Sequence, residues 1–301
     1  MDNGGNLAVL YDPDMTPSRR QLSGPEWVRA WKPVVAGVHE VFHARFVDYA
    51  YPPHVHDAWT VFVVDDGWIR YDLETRHRGA GAGRVFLLPP NVVHDGRAGA
   101  VGGFRKRVLY LSTDVLDEHL TGSAVDRPAI PGPAVRRAVH ALHRALGHPD
   151  DALEAESRLA LVGDRLRAHL SGTPSRAATG PGGGLAATPS GSGTGPRGLA
   201  GDLRELLDAR LFERTTLAQA GRDLGASPSH LVRSFTGAFG IAPHQYVTAR
   251  RIDAARRRLL DGEPIARVAA GVGFYDQAHF TRHFTRHVGT PPGRYRLSAP
   301  P

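Results

Sequence analysis

The sequence predicts a two-domain α+β protein: an N-terminal β-barrel with two trailing helices, then an all-α C-terminal domain with two helix-turn-helix units. Three observations carry that prediction. From Trp27 to Leu111, short β-rich runs are punctuated by Gly, Pro and Asp with no helical repeat between them. That spacing marks an antiparallel barrel or jelly roll. From Leu199 to Pro301 the apolar spacing becomes helical, and one helix-turn-helix plan is written twice,. Residues 171–198 are Gly, Ser, Thr, Pro and Ala almost throughout, too poor in apolar side chains to build a core. The chain therefore divides into an arm (1–24), a barrel domain with its helices (25–170), a linker (171–198) and a helical domain (199–301).

Residues 1–24 are polar, with scattered Gly and Pro, and predict a loose arm. Strands are expected at 38–47, 59–64, 68–73, 84–88, 92–94 and 105–111, where Val, Phe, Leu, Tyr and Trp concentrate,. Their separators are Asp65-Asp66-Gly67, residues 78–83, Pro89-Pro90-Asn91 and Gly102-Gly103, all built from turn formers. Two helices follow, at 133–146 and 151–170. Val135, Val139, Leu142 and Leu146 share one stripe, and Leu153, Leu159, Leu161, Val162 and Leu166 another,. Such stripes suit either a cover for the barrel or a dimer contact. His140, His143 and His148 read as solvated positions on these helices. The linker, treated as a flexible coil, would span about 30 Å on average. The helical domain should then move independently of the barrel.

In the helical domain, Leu217, Ala220 and Leu224 mark a short helix, and Gly225-Ala226 a tight turn. Ser227 is a strong N-cap with Pro228 at the first helical position. Leu231, Phe235, Ala238 and Phe239 then recur at helical spacing up to Gly240. In such a unit the second helix lies in the major groove of DNA. The plan recurs with Ile265, Val268 and Ala269, the turn Gly271-Val272-Gly273, and a helix capped by Asp276 that buries Phe280 and Phe284. Between the units, Pro243–Leu260 is a helix with Tyr246, Val247, Ile252, Ala255 and Leu259 on one side. Arg250, Arg251, Arg256, Arg257 and Arg258 lie on the other, as candidate phosphate contacts. The polar side of the first reader helix carries Ser229, Val232, Arg233 and Thr236; that of the second carries Gln277, Ala278, Thr281, Arg282 and Arg286. Arg can bond guanine bidentately and Gln can bond adenine.

Charge supports this assignment. Six of the chain's seven excess positive charges fall between Leu199 and Pro301, where there are 15 Arg and 9 acidic residues. Cations concentrated there release counterions from DNA. With no Cys, disulfides, thiolate zinc sites and thiol nucleophiles are excluded, which fits a reducing cytoplasm. The start of the chain has no basic segment leading into an apolar one, so no secretory signal is expected. Nor is there an apolar run of the roughly 18 residues that a membrane span needs.

Two resemblances follow from these motifs. The runs "LGASPSHLVRSF", "GFYDQAHFTRHF" and "GTPPGRYR" resemble the DNA-binding domain of AraC/XylS transcription regulators over about 217–297. The resemblance implies two reader helices in successive major grooves, with base contacts from Ser229, Val232 and Arg233 and from Gln277, Ala278, His279 and Arg282. Ser229 and Val232 are smaller or less polar than the family's usual readers, and Val232 can instead meet a thymine methyl. In the N-terminal half, His54-x-His56 and the run from Gly83 through Pro89 to His94 resemble the two cupin motifs. Metal-binding cupins add a Glu, but residues 57–61 hold none. His54, His56 and His94 are therefore a weakened metal set, and no cofactor is expected. The barrel interior is the expected effector pocket, walled by Trp59, Phe62, Tyr71 and Phe86 with polar contacts from Arg45, His54, His56 and His94.

The leading expectation is a regulator, most often an activator in this family, binding double-stranded DNA and a small-molecule effector. The family implies a homodimer and RNA polymerase as partners, with no membrane role and no catalysis. The alternatives are a metal-dependent cupin enzyme with an appended DNA-binding domain, and a sequence-indifferent architectural DNA binder.

Overall fold

The computed structural model describes residues 24–74, 76–172 and 198–298. The expected arm but for Gly24, and all of the expected linker but its ends, lie outside them. Among the described residues, nine strands form the N-terminal barrel: β1 (Trp27–Trp31), β2 (Val38–Phe46), β3 (Ala50–His54), β4 (Trp59–Leu73), β5 (Arg76–Gly81), β6 (Val85–Leu88), β7 (His94–Ala98), β8 (Phe104–Leu111) and β9 (Ala129–Ile130). Three α-helices accompany them among the described residues: α1 (Thr121–Asp126), α2 (Pro133–Ala145) and α3 (Ala152–Ser171). The C-terminal part is helical throughout, with α4 (Leu199–Ala209), α5 (Leu217–Leu224), α6 (Pro228–Phe239), α7 (Pro243–Leu260), α8 (Ile265–Gly271), α9 (Gln277–Val288) and α10 (Pro292–Arg296).

The barrel turns on β4. Its first half pairs with β8 and β6, its second half with β5 and β7, all antiparallel. The expected break at Asp65-Asp66-Gly67 is instead a register shift between Val64 and Asp66 within one 15-residue strand. A bulge there bends the strand from one sheet into the other. Alternation along the strands then makes two cores. One face packs Val41, Trp59, Val61, Leu87 and Leu109 against Val139, Leu142, Leu159, Val162 and Leu166 of α2 and α3. The two helical stripes thus cover the barrel, while Leu153 and Leu161 stay exposed. His143 is not solvated as expected but buried in that layer, 3.3 Å from His43.

The opposite face points inward and does not end at the domain boundary. Phe42, Phe46, Phe62, Tyr71, Phe86 and Tyr110 share a core with Ile252, Val268, Phe280, Phe284 and Tyr295 of the helical part. Val55 on the barrel rim joins a second shared cluster with Leu231, Phe235 and Tyr246. The expected independence of the two domains is thereby corrected: the helical domain is docked on the barrel mouth. Gly289, which ends α9 at φ 83°, is needed twice over at this contact. It supplies a left-handed turn, and a Cβ there would stand 2.5 Å from the Phe46 ring,.

Candidate functional site

Each reader helix is set by a cap and a buried side. Ser227 accepts a bond from the His230 N–H at 3.3 Å, starting α6, and Asp276 accepts one from the His279 N–H at 2.7 Å, starting α9. Each cap satisfies a backbone donor the helix cannot. Leu231 and Phe235 bury one side of α6, and Phe280, Phe284 and Val288 one side of α9. What remains outward is the expected reading face. Ser229, Arg233 and Thr236 are exposed on α6 with Val232 half-buried beside them; Gln277, Ala278, Arg282 and Arg286 are exposed on α9 with Thr281 half-buried. His279 sits at the flank, half-buried, its ring edge-on to Phe274 and His283 at 5.4 and 4.6 Å.

The arginines of α7 are placed differently from the expectation. Arg250 bonds Asn91 at 2.8 Å, and Arg251 donates to the carbonyls of Leu211, Gly273 and Glu213. Arg257 grips Asp57 of the barrel through two bonds of 2.6 and 2.9 Å, and Arg258 pairs with Glu263. Arg256 is fully buried against Glu40 of β2 at 2.7 Å and lies 4.2 Å over the Tyr110 ring. Burial would pull its guanidinium down, but the charge of Glu40, backed by Tyr110, Tyr295 and Asp253, outweighs that and holds it well above its ordinary value. The phosphate role expected of Arg250 and Arg251 is corrected, because both are committed to contacts within the protein.

Docking also reaches the reading face. Tyr49, from the turn after β2, donates to the Arg286 carbonyl at 2.6 Å. It forms one concave surface with Gln277, Ala278, Thr281, Arg282 and Arg286.

Inside the barrel mouth, His54, His56, Phe62, Tyr71 and His94 line a cavity as expected, joined by Tyr51, Thr60, Lys106 and Tyr110. Two of the expected lining residues belong elsewhere. Trp59 points to the helical layer and donates to the Leu116 carbonyl at 2.7 Å. Arg45, one residue from inward-facing Ala44, turns out to the carbonyls of Gly24 and Pro25. Phe86 lies behind the wall, stacked on Phe62 at 5.0 Å. The cavity measures about 40 Å³, far below the roughly 300 Å³ at which organic-ligand pockets begin. Burial keeps His54 and His56 neutral, well below their ordinary pKa, and takes His94 down to about 4. Burial, with Arg256 nearby, also lowers the Lys106 ammonium to about 7. Lys106 was legible in principle, being one of only two lysines in an arginine-rich chain.

On the other side of the mouth, His56 Nδ1 meets the Asp253 carboxylate of α7 at 2.8 Å, a hydrogen-bond partner 197 residues away in sequence. Glu40 and Asp253 went unread because their meaning depends on the docked domain.

Comparison with known proteins covers both parts. A family model described as an AraC-like ligand binding domain matches residues 36–162, and a helix-turn-helix domain model matches residues 221–298. Among curated relatives, the uncharacterized HTH-type transcriptional regulator YdiP of Escherichia coli is 34% identical over 96 residues, 32% of each chain. The HTH-type transcriptional regulator Rv1931c of Mycobacterium tuberculosis is 39% identical over 71 residues, 23% of this chain and 27% of its own. The alignments thus span about a third of these relatives or less. A solved structure of ToxT from Vibrio cholerae superposes with a TM-score of 0.51 at 11% identity, covering 91% of this chain and 97% of that one. At that identity the likeness is one of fold. No described helix is long and apolar enough to cross a membrane.

Proposed function

Because the chain belongs to the AraC family of transcription regulators, we propose that it is a sequence-specific, effector-controlled regulator whose helical domain is restrained by its own barrel. The observation that carries this is the pair of capped helices α6 and α9, each burying aromatic residues on one side and offering Arg and small polar groups on the other. Phosphate contacts position such a protein and base contacts specify its site. Here Arg233, Gln277 and Arg282 are the base readers, and Arg286 and Thr236 contact the backbone.

Control comes from the barrel mouth. An organic effector does not fit about 40 Å³. Its entry must enlarge the cavity, and the mouth is closed by α7 through Arg256, Asp253 and Arg257. An effector that binds the open barrel better than the closed one shifts the protein toward the undocked form. That also removes Tyr49 from the reading face. We propose further that the full chain is a homodimer through the outer surface of α2 and α3, where Leu153 and Leu161 are exposed, and that it contacts RNA polymerase when bound.

Selection of bound duplexes from a random pool tests the reading. The expected product is two short sequence blocks about one helical turn apart, bound far better than a scrambled duplex across a salt series. Affinity set by salt alone, with no enriched sequence, would replace this reading with the architectural one.

A further inference from the structure

Three imidazoles meet in the barrel mouth. One ring nitrogen from each of His54, His56 and His94 lies within 4.8 Å of the other two. Their hydrogen bonds decide which nitrogen is free. His54 Nδ1 lies 2.7 Å from the Pro52 carbonyl, and His94 Nδ1 lies 3.0 Å from the Val92 carbonyl. A carbonyl only accepts, so each of these Nδ1 atoms carries the proton. His56 Nδ1 donates in the same way to Asp253 Oδ1 at 2.8 Å. The Nε2 atoms of all three rings are therefore left as acceptors, and gathering acceptors away from water is unfavourable unless a cation or a donor joins them. The same cavity wall holds the hydroxyls of Tyr51 and Thr60, both buried and bonded to no protein atom. A volume of about 40 Å³ suits an ion and a water,.

Imidazole Nε2 with Nδ1–H fixed by a carbonyl or carboxylate is the form in which His binds transition metals. The cavity wall carries one carboxylate of the barrel, Asp95, which accepts from the Asp72 N–H at 2.7 Å and faces Arg97 at 3.6 Å, and the fold brings a second one, Asp253, from the other domain to His56. Glu40 and Asp57 are the closer partners of Arg256 and Arg257; Asp253 lies 3.7 Å from Arg256 and 3.3 Å from Arg257, and makes its shortest contact, 2.8 Å, with His56. We propose that His54, His56 and His94 bind one divalent transition-metal ion, and that Asp253 supports the site through His56, so that metal binding and docking of the helical domain strengthen each other. The ion withdraws electron density from the His56 ring, which makes its Nδ1–H a better donor to Asp253. By linkage, a docked Asp253 raises metal affinity by the same factor. Metal–nitrogen bonds of about 2.0–2.1 Å place tetrahedral ligands roughly 3.4 Å apart, so the rings close inward slightly on loading.

The test is titration of untagged, metal-stripped full-length protein with Co²⁺, read by its visible d–d absorption. The expected result is one equivalent bound at micromolar concentration, together with a higher urea midpoint. His54→Gln and His94→Gln should each abolish the absorption, while Asp253→Asn should weaken affinity about 10- to 100-fold. His283→Gln should change nothing, which separates this site from the His279–His283 pair on α9. Absence of stoichiometric binding by the wild type would overturn the site, as would absorption that survives His94→Gln. Equal affinity in Asp253→Asn would overturn the coupling between domains. No DNA is present in these measurements, so their failure leaves the reading of the helical domain untouched.

Discussion

Two classes of arginine separate at the scale of single residues. Arg233 and Arg282 stand exposed on α6 and α9 and make no ion pair among the described residues. Replacing either with Ala should cost about 1–3 kcal/mol on the selected operator and relax specificity at one base position. A uniform loss on every duplex, measured in parallel titrations, would assign the residue to phosphate instead. Arg256 belongs to the other class. Its partner Glu40 is 3% exposed, and removing one member of such a pair leaves a buried charge, at a cost of about 3–5 kcal/mol. Glu40→Gln should therefore lower the urea midpoint of the full chain sharply, and Glu40→Met combined with Arg256→Met should restore much of it. A double variant as unstable as the single one would mean that packing, not charge, dominates here. Sequence position alone separated these classes poorly, since five arginines of α7 looked alike and differ only in what faces them.

Among the elements, those with chemical punctuation were the most legible. Ser227-Pro228 and Asp276 start α6 and α9, and Gly240 and Gly289 end them in left-handed turns, as the sequence predicts. Asp276→Ala should accordingly cost about 1 kcal/mol, visible as a lower urea midpoint and weaker operator binding. An unchanged midpoint would show that burial of Phe280 and Phe284 suffices to fix the helix start. Strands set by their neighbours were not legible. β3 reads Ala-Tyr-Pro-Pro-His and survives as a strand because it pairs only with β7, with an irregular register, where Pro need not donate on a free edge. β5 holds two Gly, two Arg and one His in six residues and exists because β4 presents it with a partner. The expected break in β4 failed for a related reason: Asp-Asp-Gly is a turn signal, yet a bulge uses the same residues to bend a continuous strand. Trp59 and Arg45 were misplaced by one step of strand alternation, which moves a side chain from the cavity to the opposite face.

For the whole molecule, docking is the property that sequence could not reveal. The pairs Glu40–Arg256, Asp57–Arg257 and His56–Asp253 join residues about two hundred positions apart, and nothing local marks them as partners. Burial of histidines, at the docked barrel mouth and beneath α2, also makes the protein acid-sensitive in a predictable sense. Burial lowers His94 and His43 to about 4, whereas in the unfolded chain each takes a proton near pH 6.5. Between these values the unfolded state holds more protons than the native one, so stability is full above about pH 7 and falls as pH drops from 6.5 toward 4. Each histidine contributes at most about 3 kcal/mol to that loss. His54 and His56, also held low by burial, steepen it. Urea unfolding at fixed salt between pH 7.5 and 5 should thus show a midpoint that declines more steeply with every half unit below 6.5, before most carboxylates begin to titrate. Because His54, His56 and His94 sit beneath α7, the same protonation should loosen the domains before either unfolds. Tyr49 would then leave the reading face, and operator affinity should rise slightly around pH 6 while stability falls. A midpoint flat down to pH 5 would mean that these rings are reached by water and that the barrel mouth is open in solution.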